Sequence, residues 1–90
     1  PMHSAFYGTT LDILLKNLRV TNLVISGVAT NICILFTAND AYMRNYRLWI
    51  PGDCVAANTA SHSETALEQA RLVLKANTTN STELDLKQLA

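Results

Sequence analysis

Apolar and polar positions along this chain alternate in a way that predicts helix, strand, helix, strand, helix. From Thr9 to Leu18, Leu11, Leu14, Leu15 and Leu18 recur at three- and four-residue spacing. Such a one-sided stripe describes a helix that must pack on a sheet. Val20 to Ser26 contains the continuous apolar run Leu23-Val24-Ile25, the pattern of a parallel strand covered on both faces, and Gly27 ends it. A second helix reads from about Asn31 to Asn45, with Thr30 as its N-cap. Tyr46 to Ile50 is a second strand, closed by the turn signal Pro51-Gly52. Ser61-His62-Ser63-Glu64 has the form of a capping box, which starts a third helix running to about Ala76. Leu67, Ala70, Val73 and Leu74 give that helix its core side, and Glu64, Glu68, Arg71 and Lys75 give it a charged side with four-residue pairs.

Strands that alternate with helices predict parallel crossover connections. The fold class is therefore α/β, part of a Rossmann-like parallel sheet flanked by helices. Two strands make a poor sheet, so a third extended piece is expected near Asn77 to Thr79, followed by a helical turn around Thr82 to Gln88. Even so the strands lack neighbours, as those of an incomplete domain would.

Composition narrows the function classes. Ninety residues with 49% hydrophobic content suffice for a small core, although a chain of this size buries only about 60–65% of its unfolded surface. Seven acidic and seven basic residues balance to zero net charge, which leaves no electrostatic footprint for nucleic acid or an anionic membrane. No apolar run approaches the roughly 20 residues that span a bilayer, and no basic-then-apolar leader opens the chain. These features point to the cytoplasm. In that setting Cys33 and Cys54 are expected to be reduced, and Asn77-Thr78-Thr79 and Asn80-Ser81-Thr82 are chance glycosylation sequons. His3 and His62 do not supply metal-ligand spacing with the cysteines, so neither metal nor cofactor is expected.

The chemistry concentrates at Gly27-Val28-Ala29-Thr30-Asn31-Ile32-Cys33, a turn that delivers a cysteine into the first turn of a helix. Free N–H groups and the positive end of the helix dipole favour thiolate over thiol there, and the same N–H groups can hold an oxyanion. Cys33, Thr37, Asp40 and Arg44, spaced by four, three and four, form a polar stripe on an otherwise apolar helix. A buried structural thiol is the competing reading, since free cysteine commonly packs as a small hydrophobe. Rival cysteine chemistries fail on spacing: position 39 is asparagine where a phosphatase loop needs arginine, and position 36 is phenylalanine where a thioredoxin motif needs cysteine. Gly27 stands alone, so a dinucleotide fingerprint is absent too.

The run Ser4-Ala5-Phe6-Tyr7-Gly8-Thr9-Thr10-Leu11, the turn ending at Cys33, Thr37-Ala38-Asn39-Asp40-Ala41 and the Asp53-Cys54 pair together resemble the isochorismatase-like cysteine hydrolases, the group that includes nicotinamidases and carbamoylsarcosine amidohydrolase. The resemblance covers residues 1–90 as the C-terminal part of such a domain. It implies that Cys33 attacks an amide-like carbon of a small-molecule substrate, that the Val28–Ala29 peptide is cis, and that the Ala29 and Cys33 backbone N–H groups form the oxyanion hole. It also implies an aspartate base and a lysine, both upstream of Pro1, so the isolated chain is expected to be inactive and the complete domain to be a homo-oligomer. A non-catalytic fragment or pseudo-enzyme subunit, assembling through its sheet edge, is the alternative.

The remaining polar residues receive plainer readings. Asp12 and Lys16 form a solvated ion pair. Asp53 bonds local backbone at its turn. His62 caps or packs, and His3 acts as a base in a Cys/His dyad only if the fold brings it to Cys33, a role the resemblance argues against. For Phe6 two roles stand, a wall of the substrate site or a core aromatic.

Overall fold

The computed structural model describes residues 2–85. Helix α1 (Leu11–Asn17) begins after Thr10 and ends at Leu18. There the Val20 N–H donates to the Leu15 carbonyl and the Arg19 N–H to the Lys16 carbonyl, both at 3.1 Å. Arg19 takes the left-handed conformation, φ 59°, that this closing motif usually gives to glycine. The chain then enters β1 (Asn22–Val24), which pairs in parallel with β3 (Arg47–Trp49), Leu23 opposite Leu48. On the far side of β3, Trp49 bridges Asn77 in parallel, and the Ile50 N–H donates to the Asn77 carbonyl at 2.8 Å. The third extended piece predicted near Asn77 is therefore present.

The apolar run after Val20 does not stay in one strand. It breaks after Val24 and resumes as β2 (Gly27–Val28), which pairs in parallel with β4 (Val55–Ala56). Gly27 sits at φ 126°, a backbone conformation that side chains rarely adopt. On its other edge β1 has no strand partner among the described residues.

Helices α2 (Leu35–Met43) and α3 (Ala60–Val73) close the layer around a core of Ile34, Ala38, Ala41, Tyr46, Leu48, Ile50, Leu67, Ala70, Leu74 and Phe6. The alanines let α2 lie close to the sheet. Helices and small parallel sheets make the chain α/β, as its pattern predicts.

Several local expectations change. Only Leu11 and Leu15 of the α1 stripe pack on the core; Leu14 is 52% and Leu18 65% exposed. Val73 is 49% exposed for the same reason, a face of α3 that the sheet does not reach. The cap of α3 is Thr59 rather than Ser61: its Oγ1 accepts from the His62 N–H at 3.1 Å, so the helix starts one residue before the capping box. The charged side of α3 forms its ion pair two turns apart, Arg71 to Glu64 at 3.6 Å. The turn expected over Thr82 to Gln88 is a single 3-10 turn at Ser81–Glu83, which ends at the extended Leu84; residues 86–88 lie outside the described residues.

Candidate active site

The helix that carries Cys33 does not begin as an ordinary α-helix. Ala29, extended at φ −94° and ψ 145°, is its N-cap, and the first turn, Thr30–Ile34, is a π-turn running directly into α2. Thr30 is the first helical residue rather than the cap, because its hydroxyl is taken: Oγ1 lies 2.8 Å from Ser63 Oγ in α3, and the residue is 2% exposed. The Ala29 carbonyl accepts from Ile32 and from Ile34, both at 3.1 Å. Cys33, between them, does not donate to that carbonyl, which would be its acceptor in an α-helix. The peptide between Val28 and Ala29 is cis.

Cys33 is half-buried and reduced, as is Cys54. Its sulfur lies 4.0 Å from His3 Nδ1. The His3 ring in turn faces Phe36, with centroids 6.2 Å apart and planes tilted by 35°. Phe36 follows Cys33 by three residues and is exposed.

Phe6 goes to the core. It is 6% exposed, its ring stacks on Tyr46 at 6.1 Å, and the Arg44 guanidinium covers it at 5.0 Å. It also lines an open cleft of about 300 Å³ with Leu11, Leu15, Leu23 and Thr37, away from the sulfur's contacts. The core aromatic is thus the role this packing gives it.

Behind the thiol, the polar stripe of α2 is occupied by the segment before α1. Ser4 Oγ donates to Asp40 Oδ2 at 2.5 Å, the Ala5 N–H donates to Thr37 Oγ1 at 3.1 Å, and Arg44 covers Phe6. Asp12 extends this network. It pairs with Lys16 at 3.5 Å as expected, approaches Arg44 at 3.9 Å, and accepts from the Tyr46 hydroxyl at 3.1 Å. Burial, and then the bond to Asp12, raise the Tyr46 phenol above its ordinary range.

Two residues read as structural in the sequence lie elsewhere. Asp53 bonds its own turn, through its own backbone N–H and the Cys54 thiol at 3.8 Å, and reaches further: its carboxylate accepts from Ser81 N–H at 2.8 Å and from Ser81 Oγ at 2.6 Å, and the Ser81 bonds first of all hold it below the usual carboxylate range. His62, exposed on α3, contributes its backbone N–H to the Thr59 cap and lines an open cavity with Asn31 and Leu35. Among the described residues no three His, Cys, Asp or Glu side chains gather as metal ligands, and no helix is long and apolar enough to cross a membrane.

A cysteine on a π-turn after a parallel strand has close relatives. Residues 1–83 match the Isochorismatase domain. The chain belongs to the isochorismatase family. It is 50% identical over 84 residues to the isochorismatase family protein YaaI of Bacillus subtilis, a match covering 93% of this chain and 46% of that protein. Among solved structures it resembles the pyrazinamidase/nicotinamidase of Streptococcus mutans, with 41% identity and a TM-score of 0.83 over 84% of this chain and 42% of that one. It also resembles the N-carbamoylsarcosine amidase of Thermoplasma acidophilum, with 34% identity and a TM-score of 0.82 over 92% and 46% of the two chains. This isochorismatase-family chain thus spans about half the length of the relatives it matches.

Proposed function

We propose that the chain supplies the nucleophile and the oxyanion-binding turn of a cysteine hydrolase acting on an amide-like small molecule. The observation that carries this reading is the break in the hydrogen-bond register at the helix start, where the Ala29 carbonyl bonds Ile32 and Ile34 but not Cys33. π-turns of this kind occur frequently at functional sites. Here the break separates the Cys33 N–H from its usual intrahelical acceptor, at the same residue whose thiol is half-buried beside the turn.

In the proposed reaction the Cys33 thiolate adds to the carbonyl carbon, forming a C–S bond while the C=O π pair moves onto oxygen. The Ala29 and Cys33 N–H groups hold that oxyanion. Collapse breaks the C–N bond, and the amine leaves with the proton that the upstream aspartate base took from the thiol. Water then hydrolyses the thioester, releasing the acid and returning the thiol. The relatives support an amide substrate, since two of them are a pyrazinamidase/nicotinamidase and an N-carbamoylsarcosine amidase. Asp12 is tied to Tyr46, Lys16 and Arg44, and Asp40 to Ser4 and Arg44. An aspartate and a lysine contributed from upstream of Pro1, in a homo-oligomeric complete domain, complete the reading.

The test is turnover of an amide, imide and carbamoyl panel by the chain joined to an upstream isochorismatase half, fused or as a separate chain. Activity should appear only in the joined protein and fall to background in Cys33→Ala. Turnover by Cys33→Ala would remove the nucleophile. A folded assembly that hydrolyses nothing would favour the non-catalytic reading, in which the unpaired edge of β1 serves assembly alone.

A further inference from the structure

Thr30 is 2% exposed, and a hydroxyl buried that deeply needs a partner. It finds one on another element: Oγ1 lies 2.8 Å from Oγ of Ser63, in the first turn of α3. Ser63 is set there by the start of its own helix, where its N–H donates to the Thr59 carbonyl at 3.2 Å and the Thr59 hydroxyl caps the His62 N–H. Threonine at a helix start otherwise turns its hydroxyl onto the N–H two or three residues ahead. From Thr30 those belong to Ile32 and Cys33. The Ile32 N–H already donates to the Ala29 carbonyl at 3.1 Å, whereas the Cys33 N–H does not. The local partner open to the Thr30 hydroxyl is therefore the Cys33 N–H.

We infer that Ser63 is a positioning residue for the oxyanion site: by holding the Thr30 hydroxyl on α3, it keeps the Cys33 N–H free to bind the oxyanion. This rests on the proposed role of that N–H and adds which residue preserves it. Ser63 acts through Thr30 and touches no reacting atom. Without Ser63 the buried hydroxyl is left unpaired, which is costly in a protein interior. Turning back onto the helix start satisfies it. A hydroxyl that accepts from the Cys33 N–H then occupies the donor that the oxyanion needs.

Packing holds the two hydroxyls together. The start of α3 lies directly against the π-turn, with Ile34 on one side and Ala66 and Leu67 on the other buried between them. Ser63 itself is half-buried and borders an open cleft of about 310 Å³ with Val55, Ala56 and Thr59. Water entering from that cleft is the rival partner for Thr30 once the serine hydroxyl is gone. The two outcomes differ at one backbone amide, that of Cys33.

The experiment is amide hydrogen exchange, followed by NMR, on the protein joined to its upstream half. In Ser63→Ala the Cys33 N–H should exchange about tenfold more slowly than in the wild type, because a bonded amide exchanges only when its bond opens. In Thr30→Val/Ser63→Ala, where no hydroxyl is left to turn, the wild-type rate should return. A merely structural serine gives the opposite order, since loosening the contact speeds exchange in the single variant and more so in the double. Unchanged exchange in Ser63→Ala, as water from the cleft would produce, or faster exchange, would overturn the inference. Turnover of the amide panel gives a second reading: kcat should fall about tenfold in Ser63→Ala with KM within about twofold, part of the roughly 10²–10³ that a lost oxyanion donor costs, and recover in the double variant. A double variant no more active than Ser63→Ala would also overturn it. The exchange reading needs no substrate, so its failure is distinct from failure of the nucleophile, which is read from turnover in Cys33→Ala.

Discussion

Ser4 Oγ donates to Asp40 Oδ2 at 2.5 Å across 36 residues of sequence, joining the segment before α1 to the middle of α2. Ser4 is buried and its Oγ also accepts from the Phe6 N–H at 3.2 Å, so one hydroxyl orders both the loop and its attachment. A hydrogen bond to a charged acceptor contributes about 1.5–3 kcal/mol, more than a neutral one. This contact therefore outweighs the exposed Ala5–Thr37 bond beside it.

Ser4→Ala should lower the unfolding free energy by about 1–2 kcal/mol, with the slope of the urea transition unchanged. Thr37→Val, which removes only the exposed bond, should cost less than about 1 kcal/mol. Equal losses in the two variants would show that the Asp40 contact has no special weight.

Asp53 gives the chain an acid-sensitive clasp between the segment before β4 and the turn at Ser81. Its carboxyl is held below the ordinary range by the Ser81 hydroxyl and then the Ser81 N–H, so the folded state binds its proton less readily than the unfolded chain. The contribution is fully present above the unfolded value near pH 3.9, and is lost as the pH falls from there through the lower folded value. Thermal midpoints measured from pH 5 to pH 2.5 should fall less steeply in Asp53→Asn than in the wild type. Parallel curves would exclude the clasp as an acid-sensitive element.

Arg19 closes α1 at φ 59° with its side chain exposed. Side chains disfavour that conformation by about 1–2 kcal/mol, while glycine costs somewhat more entropy in the unfolded chain. Arg19→Gly should accordingly stabilise the fold by about 0.5–1 kcal/mol, and Arg19→Ala should not, in denaturant titrations of the two variants. A gain in alanine equal to that in glycine would place the effect in the side chain's charge instead of the backbone.

By itself the sequence determined what depends on neighbours in the chain. The run Leu23-Val24-Ile25, the stop at Pro51-Gly52 and the alternation of elements predicted parallel α/β pairing, because side-chain periodicity and turn chemistry act over a few residues. The turn to Cys33 and the stripe Cys33, Thr37, Asp40, Arg44 were legible for the same reason, since helical spacing puts those positions on one face. Tertiary structure decided which partner each polar group takes. Thr30 has the chemistry of a cap, yet Ser63 of α3 holds its hydroxyl, and the helix starts as a π-turn from Ala29. Ser61 has the sequence of a capping box, yet Thr59 caps. Leu14 and Leu18 follow the apolar period but face outward, because how much of a helix stripe is covered depends on the surface laid against it. Local sequence cannot report that His3 meets Cys33 or that Phe6 goes to the core beneath Arg44. Both follow from segments some thirty or more residues apart closing on one face of α2.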